Sequence, residues 1–503
     1  MRKLESLKRM MQIGLGLINI AVQIVIFAFC YYSYYSTWMR IQFYKRGNIL
    51  FVIIYAALLL SFLVMYGGLR IGYQKTAEVI LSQILGIFIT NLFTYFLLSL
   101  LCLELMNVVY YGPMTILQFV WAILWTLLSR LIYKGIFPPR QLLLIHGDRP
   151  IEDIKRKFES RKDKYNIAKT MNIAEGVETV CLEALERYDG VVIWDIPANE
   201  RNRVLKFCYG QNIRVYIMPK ISDVILSGAE QLHLFDSPIM LTREYALTLE
   251  QRIFKRLTDI VVSLILIIVS SPFMLITAIL VKLYDGGPVL YKQVRCTIDR
   301  KEFKILKFRS MRTDAEKDGV ARLAKENDDR ITPVGHFIRK CRLDELPQLF
   351  NILKGDMSFI GPRPERPEII AQYMDEMPEF AYRMKVKAGL AGYAQVYGKY
   401  NTTPYDKLKL DICYIENYSF WLDLKLMLLT IKILFMPDAT EGVASNQVTA
   451  LKDDYSNIED DDNCVDGEDN CASKDNCAND EDARAAEDTC AKAEAAHTSE
   501  GRK

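Results

Sequence analysis

Four long apolar stretches open the chain, at residues 11–35, 49–68, 79–105 and 114–133. Each is near the ~20 residues that a helix needs to cross a bilayer. The pattern then changes. Over residues 138–234, short apolar runs alternate with amphipathic segments. Gln141-Leu-Leu-Leu-Ile-His146, Gly190-Val-Val-Ile-Trp194 and Ile213-Arg-Val-Tyr-Ile-Met218 read as buried strands, with helical patterns at 151–158 and 174–188 between them. This predicts a small Rossmann-like parallel α/β domain. Its first strand runs into Gly147-Asp-Arg-Pro and not into a glycine-rich phosphate loop, which favours a structural or regulatory role over dinucleotide binding.

A fifth apolar stretch covers residues 260–282 and carries Ser271-Pro272 at its centre. Proline removes a backbone donor and bends a helix. Charge distribution gives a second argument. Arg2, Lys3, Lys8 and Arg9 precede the first stretch, Arg70 and Lys75 sit between the second and third, and Arg130, Lys134 and Arg140 follow the fourth. By the positive-inside tendency both ends of the four-helix bundle are cytoplasmic, although Arg40, Lys45 and Arg46 in the first outer loop oppose this. A fifth crossing would place everything downstream outside. The expected solution is a broken, re-entrant helix that enters and returns on the cytoplasmic side, with neighbouring groups resatisfying the carbonyls freed near Pro272. Residues 417–436, apolar but interrupted by Asp423, Lys425 and Lys432, suit a helix in the membrane interface or a buried helix pair.

Composition agrees with a membrane protein that has sizeable soluble parts: 503 residues, 51% hydrophobic yet 25% charged. The basic N-terminus leads into apolar sequence without a cleavage site. The eleven cysteines include no Cys-x-x-Cys pair, which argues against a zinc or disulfide framework. From Asp453 onward there are 17 acidic and 5 basic residues, so the tail is about −12 and the remainder about +14. Poor in apolar residues, residues 441–503 are expected to be disordered. The first four helices hold few acidic groups, which weakens a transporter reading.

Candidate chemistry concentrates between residues 293 and 421. Asp344 and Glu345 lie side by side in Arg339-Lys-Cys-Arg-Leu-Asp-Glu-Leu-Pro-Gln348. Lys307 and Arg309 stand two apart on a strand-like segment and so share a face. Arg363 is held between Pro362 and Pro364 in a stiff turn. Fixed cations around carboxylates suit a polyphosphate with a divalent metal, since Arg grips phosphate oxygens and Mg²⁺ takes one or two carboxylates plus phosphate oxygens. Asp344 and Glu345 are ~100° apart on a helix and should have different roles, one attacking phosphorus and the other holding metal. With Pro347 in the first turn of a helix beginning near Leu343, Asp344 would sit at a positive helix N-terminus.

Residues 252–435 resemble the bacterial sugar transferase family, the monotopic polyprenol-phosphate phosphoglycosyl transferases. The matching pieces are Asp259, Ser271-Pro272, Gly287-Pro-Val289, Lys307-Phe-Arg-Ser-Met311, Leu343-Asp-Glu-Leu-Pro-Gln348, Gly355-Asp-Met-Ser-Phe-Ile-Gly-Pro-Arg-Pro364, Lys387-Ala-Gly-Leu-Ala-Gly-Tyr-Ala-Gln395, Leu410-Asp411 and Tyr414. The whole chain is similar to the large subgroup with four N-terminal helices and a CoA-binding-like domain, which primes exopolysaccharide or O-antigen synthesis. Two motifs depart from the family's pattern, at Arg295-Cys-Thr-Ile-Asp-Arg300 and Ala388-Gly-Leu-Ala-Gly-Tyr393.

The resemblance implies four segments: transmembrane helices over 1–137, an α/β domain over 138–241, a mainly helical catalytic domain over 242–440, and the tail. It implies transfer of a sugar-1-phosphate, with an unacetylated hexose preferred, from a UDP-sugar to undecaprenyl phosphate. Asp344 is the nucleophile and Glu345 the Mg²⁺ ligand, with Asp411 a further metal candidate. Lys307, Arg309, Arg339, Pro362, Arg363 and Pro364 would form the phosphate and nucleotide site. The expected setting is the bacterial inner membrane with the site on the cytoplasmic face, a homodimer as the candidate assembly, and membrane lipid but no nucleic acid as partner. The rival readings are direct ternary transfer with Asp344 as a base, and a membrane scaffold or regulator carrying an inactive transferase module; the intact Asp344-Glu345 pair opposes the scaffold.

Overall fold

The computed structural model describes residues 2–37, 45–186, 188–234, 236–242, 246–312, 330–398 and 402–436. The acidic tail, with its cysteines and its expected disorder, lies outside the described residues, as does Arg40.

The chain begins with four long apolar helices: α1 (Arg2–Cys30), prolonged by a π-helical turn at Tyr31–Tyr35, then α2 (Lys45–Tyr66), α3 (Thr76–Cys102) and α4 (Tyr111–Ile136). Their inward faces are not wholly apolar. Gln23 and Gln118 each donate to the other's backbone carbonyl at 3.1 Å, and Asn91 donates to Gln118 Oε1 at 2.8 Å. Amide pairs of this kind fix which face of each helix turns inward in an apolar medium.

The α/β region follows: β1 (Arg140–His146), α5 (Glu152–Glu159), β2 (Tyr165–Asn172), α6 (Val177–Ala184), β3 (Gly190–Trp194), α7 (Ala198–Gly210), β4 (Val215–Ile217) and α8 (Ile221–Ser227). The sheet is parallel throughout, in the order β2-β1-β3-β4. The three expected strands are present. The partly exposed β2, mixed in polarity, lacks the continuous apolar run that marks β1 and β3. An antiparallel hairpin, β5 (Glu230–Leu234) with β6 (Ser237–Leu241), closes the region. α8 does not pack on this sheet: Val224 is buried with Cys296, Ile370, Phe380, Leu408 and Ile412 of the next segment.

That segment starts with α9 (Leu249–Asp285), one continuous helix with Pro272 inside it. The missing N–H of Pro272 would strand the carbonyl of Ile268, four residues back. Ser271 Oγ donates to that carbonyl at 2.8 Å, so the helix runs on through the proline and the break expected at Ser271-Pro272 is absent. Both halves of α9 pack on one body, formed by the elements that follow it. Asp259 accepts from Ser358 Oγ and Phe359 N, at 3.0 and 2.9 Å. Beyond the proline, Met274 and Val281 pack with Phe308 and Ile338.

The body itself comprises an antiparallel pair, β7 (Leu290–Cys296) and β8 (Glu302–Phe308), then α10 (Pro333–Lys340), a 3-10 turn at Leu343–Glu345 and α11 (Gln348–Lys354). β9 (Ser358–Ile360), α12 (Pro367–Glu376), a 3-10 segment at Pro378–Lys385 and β10 (Gly389–Ala391) come next, with β9 and β10 parallel. α13 (Tyr393–Tyr397), α14 (Pro404–Glu416) and α15 (Phe420–Leu434) end it. The interface-or-buried alternative for 417–436 resolves towards packing. α15 buries Asp423, Leu426, Leu429 and Lys432, with Leu429 against Tyr66 of α2 and Leu85 of α3, while Trp421 stays exposed.

Candidate active site

Three local devices present the carboxylate pair. Thr332 Oγ1 accepts from Gly335 N at 2.9 Å and Pro333 follows it, so α10 starts at a defined residue. After α10, Arg342 adopts a left-handed backbone (φ 53°), uncommon for a residue with a Cβ, and turns the chain into the 3-10 turn that holds Asp344 and Glu345. Leu343 and Leu346 on either side pack into the core beside Phe308 and Ile338. The expected helix from Leu343 is therefore replaced by one 3-10 turn. Pro347 caps α11, which begins only at Gln348. Side-chain cations, not a helix N-terminus at Leu343, make the surroundings of Asp344 positive.

Lys307 comes from β8, whose register α11 fixes. Leu306 N donates to Asn351 Oδ1 at 3.0 Å, and Asn351 Nδ2 donates to the carbonyl of Lys304 at 2.9 Å. Lys307 Nζ reaches Glu345 Oε1 at 3.2 Å. Arg363 Nη2 meets the same oxygen at 3.3 Å, and Arg342 Nη1 lies 3.8 Å from Oε2.

Arg363 is supported from behind. Gly389 N donates to the carbonyl of Pro362 at 2.8 Å and Gly361 N to that of Ala391 at 2.9 Å. A Cβ on Gly389 would overlap Gly361, so the two chains touch only because both residues are glycine. Arg383 Nη2 donates to the carbonyl of Arg363 at 3.0 Å, and Arg295 Nη1 donates to that of Pro364 at 3.2 Å. Pro362 and Pro364 thus serve through backbone carbonyls that fix the turn. Sequence reasoning gives neither Arg383 nor Arg295 a role in the site, although Arg295 opens a motif that departs from the family's pattern. Only their positions in space reveal the role.

The two carboxylates are set apart electrostatically. Burial and then the Glu345 charge push Asp344 above the usual carboxylate range, and Lys307, Arg339 and Arg363 oppose this. Burial also works to raise Glu345, but Lys307, Arg363 and Arg342 outweigh it and hold that carboxyl well below the usual range. One group is thus a fixed anion. The other is a poorly solvated, more basic carboxylate, the character a carboxylate nucleophile needs.

The remaining candidates separate. Arg309 lies just past the end of β8 and pairs with Asp285 at the end of α9, not with Glu345, because the strand alternation stops at Phe308. Asp411 is buried and pairs with Arg383 at 2.9 Å. It stands behind the Arg363 turn as the counter-ion of the arginine that supports it. Ser271 and Pro272 are in α9, with the hydroxyl bond already described. Among the described residues no cluster of three or more His, Cys, Asp or Glu could hold a metal. Among the described residues Glu345 Oε2 has one long ion-pair contact, 3.8 Å from Arg342, and a carboxylate oxygen so placed could take a divalent ion.

A family model described as Bacterial sugar transferase matches residues 250–437. An uncharacterized sugar transferase of Bacillus subtilis (strain 168) is 40% identical over 199 residues, which are 39% of this chain and 94% of that protein. The chain belongs to the bacterial sugar transferase family.

Two longer members of the family carry more specific names. The UDP-N-acetylgalactosamine-undecaprenyl-phosphate N-acetylgalactosaminephosphotransferase of Aeromonas hydrophila is 40% identical over 257 residues, 49% of this chain and 59% of that one. The UDP-glucose:undecaprenyl-phosphate glucose-1-phosphate transferase of Klebsiella pneumoniae is 42% identical over 253 residues, 49% of this chain and 52% of that one. The match spans a little over half the length of these two relatives. The carboxylate pair, Lys307, Arg342 and Arg363 all fall inside the sugar transferase segment.

Proposed function

We propose that this protein transfers a hexose-1-phosphate from a UDP-sugar to undecaprenyl phosphate and so begins a polysaccharide repeat unit. The observation that carries the reading is the convergence of Lys307, Arg342 and Arg363 on Glu345, beside the half-buried Asp344. That excess of cations suits a diphosphate. Asp344 attacks the β-phosphorus, its new P–O bond forming as the bond to the bridging oxygen breaks. UMP leaves with that bridging oxygen. An oxygen of the lipid phosphate then attacks the phosphoaspartyl phosphorus, giving the lipid diphosphate sugar and free Asp344. Each step exchanges one P–O bond for another.

Lys307, Arg339 and Arg363 orient the phosphates and spread the charge that develops on them. Arg383, held by Asp411, keeps the Arg363 turn in place. Glu345 is the proposed ligand of Mg²⁺, which when bound would neutralise phosphate charge. α9 is unbroken, so the re-entrant placement is proposed without the break at Pro272; the packing of both its halves on one body is what supports it. The site would then stand at headgroup depth on the cytoplasmic face of the inner membrane, with a homodimer as the proposed assembly.

UMP release from a panel of UDP-sugars, by full-length protein in detergent with Mg²⁺ and undecaprenyl phosphate, tests this. Sugar-dependent release with a mass adduct of hexose phosphate on Asp344, both lost in Asp344→Asn, is the expected result. Release that persists in that variant would overturn the covalent route. No release from any donor would overturn the transferase reading.

A further inference from the structure

Helix α8 serves a region other than the one it belongs to. It follows β4, the edge strand of the parallel sheet, yet Ile221, Val224 and Ile225 join neither core of that sheet. Their i, i+3, i+4 spacing makes one apolar face, and that face is buried in the transferase body. Asp223 ties α8 back to α7. Arg201 donates to both its oxygens, at 2.6 and 3.1 Å, and Lys220 N donates to it at 2.8 Å. The α/β region thus holds α8 in register while the body covers it.

The core that Val224 enters is made by three elements: the end of β7 with Cys296, the 378–385 segment with Phe380 and Met384, and α14 with Leu408 and Ile412. Each of the three also carries a group that holds the Arg363 turn. Cys296 N donates to the carbonyl of Glu365 at 3.0 Å, and the adjacent Arg295 donates to that of Pro364. Arg383, its guanidinium 4.8 Å from the centre of the Phe380 ring, donates to the carbonyl of Arg363. Asp411, between Leu408 and Ile412 on α14, is the counter-ion of Arg383. All three supports of one turn therefore rest on α8. The fit is tight at its far end. A Cβ on Gly228, which caps α8, would come within 2.5 Å of Glu416 Cβ and 3.1 Å of the Glu416 carbonyl oxygen, at the end of α14. Neither atom is at the loose end of a side chain, so a methyl group there would push α8 and α14 apart.

We infer that α8 is a positioning element of the transferase site. The α/β region extends it into the body, where it fixes the three supports of the Arg363 turn and so the place of the Arg363 guanidinium on Glu345. Val224 and Gly228 are positioning residues, acting on substrate only through Arg383 and Arg363. The inference deepens the reading of the site as a UDP-sugar transferase, and it rests on that reading for its kinetic test alone.

Gly228→Ala in the full-length protein tests this, with UMP release followed against UDP-sugar concentration in detergent with Mg²⁺ and undecaprenyl phosphate. A displacement of about 1 Å from a distant change can cost about 10²-fold, so a fall of about tenfold in kcat/KM is expected here. A loosened Arg363 loses its grip on bound diphosphate and transition state alike, so the fall should lie in KM. Val224→Ala, which opens space instead of filling it, should act in the same direction. Leu226→Ala, on the exposed face of α8, should change neither constant. With Arg383→Lys already in place, Gly228→Ala should add little, because both act through one carbonyl; independent lesions would multiply. Hydrogen exchange of the ligand-free protein gives a readout that needs no reaction. The Gly389 amide, bonded to the carbonyl of Pro362 and outside the Val224 core, should exchange faster in Gly228→Ala than in wild type. Unchanged exchange at Gly389 in both α8 variants, a fall in kcat with KM intact, or multiplied effects in the double variant would overturn the inference. A wild-type protein that releases no UMP would sink the transferase reading instead, and exchange at Gly389 would decide the role of α8 by itself.

Discussion

Two ion clusters in the sugar transferase segment differ in balance and in sealing. In the first, Lys255 of α9 contacts Asp423 of α15 at 2.6 Å, and Tyr414 of α14 donates to Asp423 at 2.8 Å while accepting from Lys255 at 3.0 Å. One cation meets one anion, and their side chains are 7% and 5% exposed. In the second, three cations reach Glu345, and Arg363 remains 44% exposed. A balanced, sealed pair has spent its charge on joining three helices. An unbalanced and open cluster has positive potential left for a ligand. Surplus cation at an accessible carboxylate, more than charge density alone, marks the place where chemistry is expected.

The comparison breaks most severely at the sealed pair. Lys255→Met leaves the Asp423 carboxylate buried with only Tyr414 for support, and should cost about 3–5 kcal/mol of stability. Lys255→Met with Asp423→Leu removes both charges and should be markedly less damaging than the single change. Denaturant midpoints in detergent, read beside UMP release per folded molecule, separate loss of fold from loss of activity. A single variant as stable as wild type would show that the pair is not the fastening described here.

Lys307→Met inverts that expectation. Glu345 keeps Arg342 and Arg363, so the fold should hold, while UMP release falls by about 10²-fold because phosphate stabilisation is lost. The pH profile gives a sharper signature. Asp344 attacks only when ionised, so activity is lost as pH falls through its raised pKa. Lys307 favours the ionised form. Without it the Asp344 pKa rises further, and the acid limb moves to higher pH. An acid limb that stays in place or moves to lower pH would contradict the placement of Lys307 beside Asp344.

How far the sequence foretold this site depends on where each contact is formed. The Asp344-Glu345 pair and the stiff turn around Arg363 are local patterns and legible as such. Ser271-Pro272 is legible too, but the break expected there does not form, because Ser271 Oγ takes up the carbonyl that the proline leaves free. The buried strands β1 and β3 were equally plain from their apolar runs. The shared face of Lys307 and Arg309 holds only while the strand lasts, and β8 ends at Phe308, so Arg309 meets Asp285 and not Glu345. Asp411 was read as a metal candidate because a lone acidic residue does not reveal that Arg383, 28 positions away, is its partner. Arg383 itself has no local signature, and its role exists only because the segment 378–385 folds back behind β9. The packing of α8 into the transferase core is of the same kind. The surface that it covers belongs to residues 70 to 190 positions further on.

A third ion pair offers the weakest test and the best control. Lys157 of α5 contacts Asp406 of α14 at 3.1 Å, with the lysine 52% exposed. Its length resembles that of the Lys307–Glu345 contact, so distance alone would rank the two together. Solvent and salt screen it, however, and Asp406 also holds Lys409 at 2.9 Å. Lys157→Ala should therefore change stability by no more than about 0.5 kcal/mol. UMP release should be unaffected at moderate salt. A loss approaching that of Lys255→Met would mean that this contact between α5 and α14 joins the α/β region to the transferase body as firmly as the buried pair joins its helices, and that burial is the wrong measure by which to separate fastening ions from functional ones.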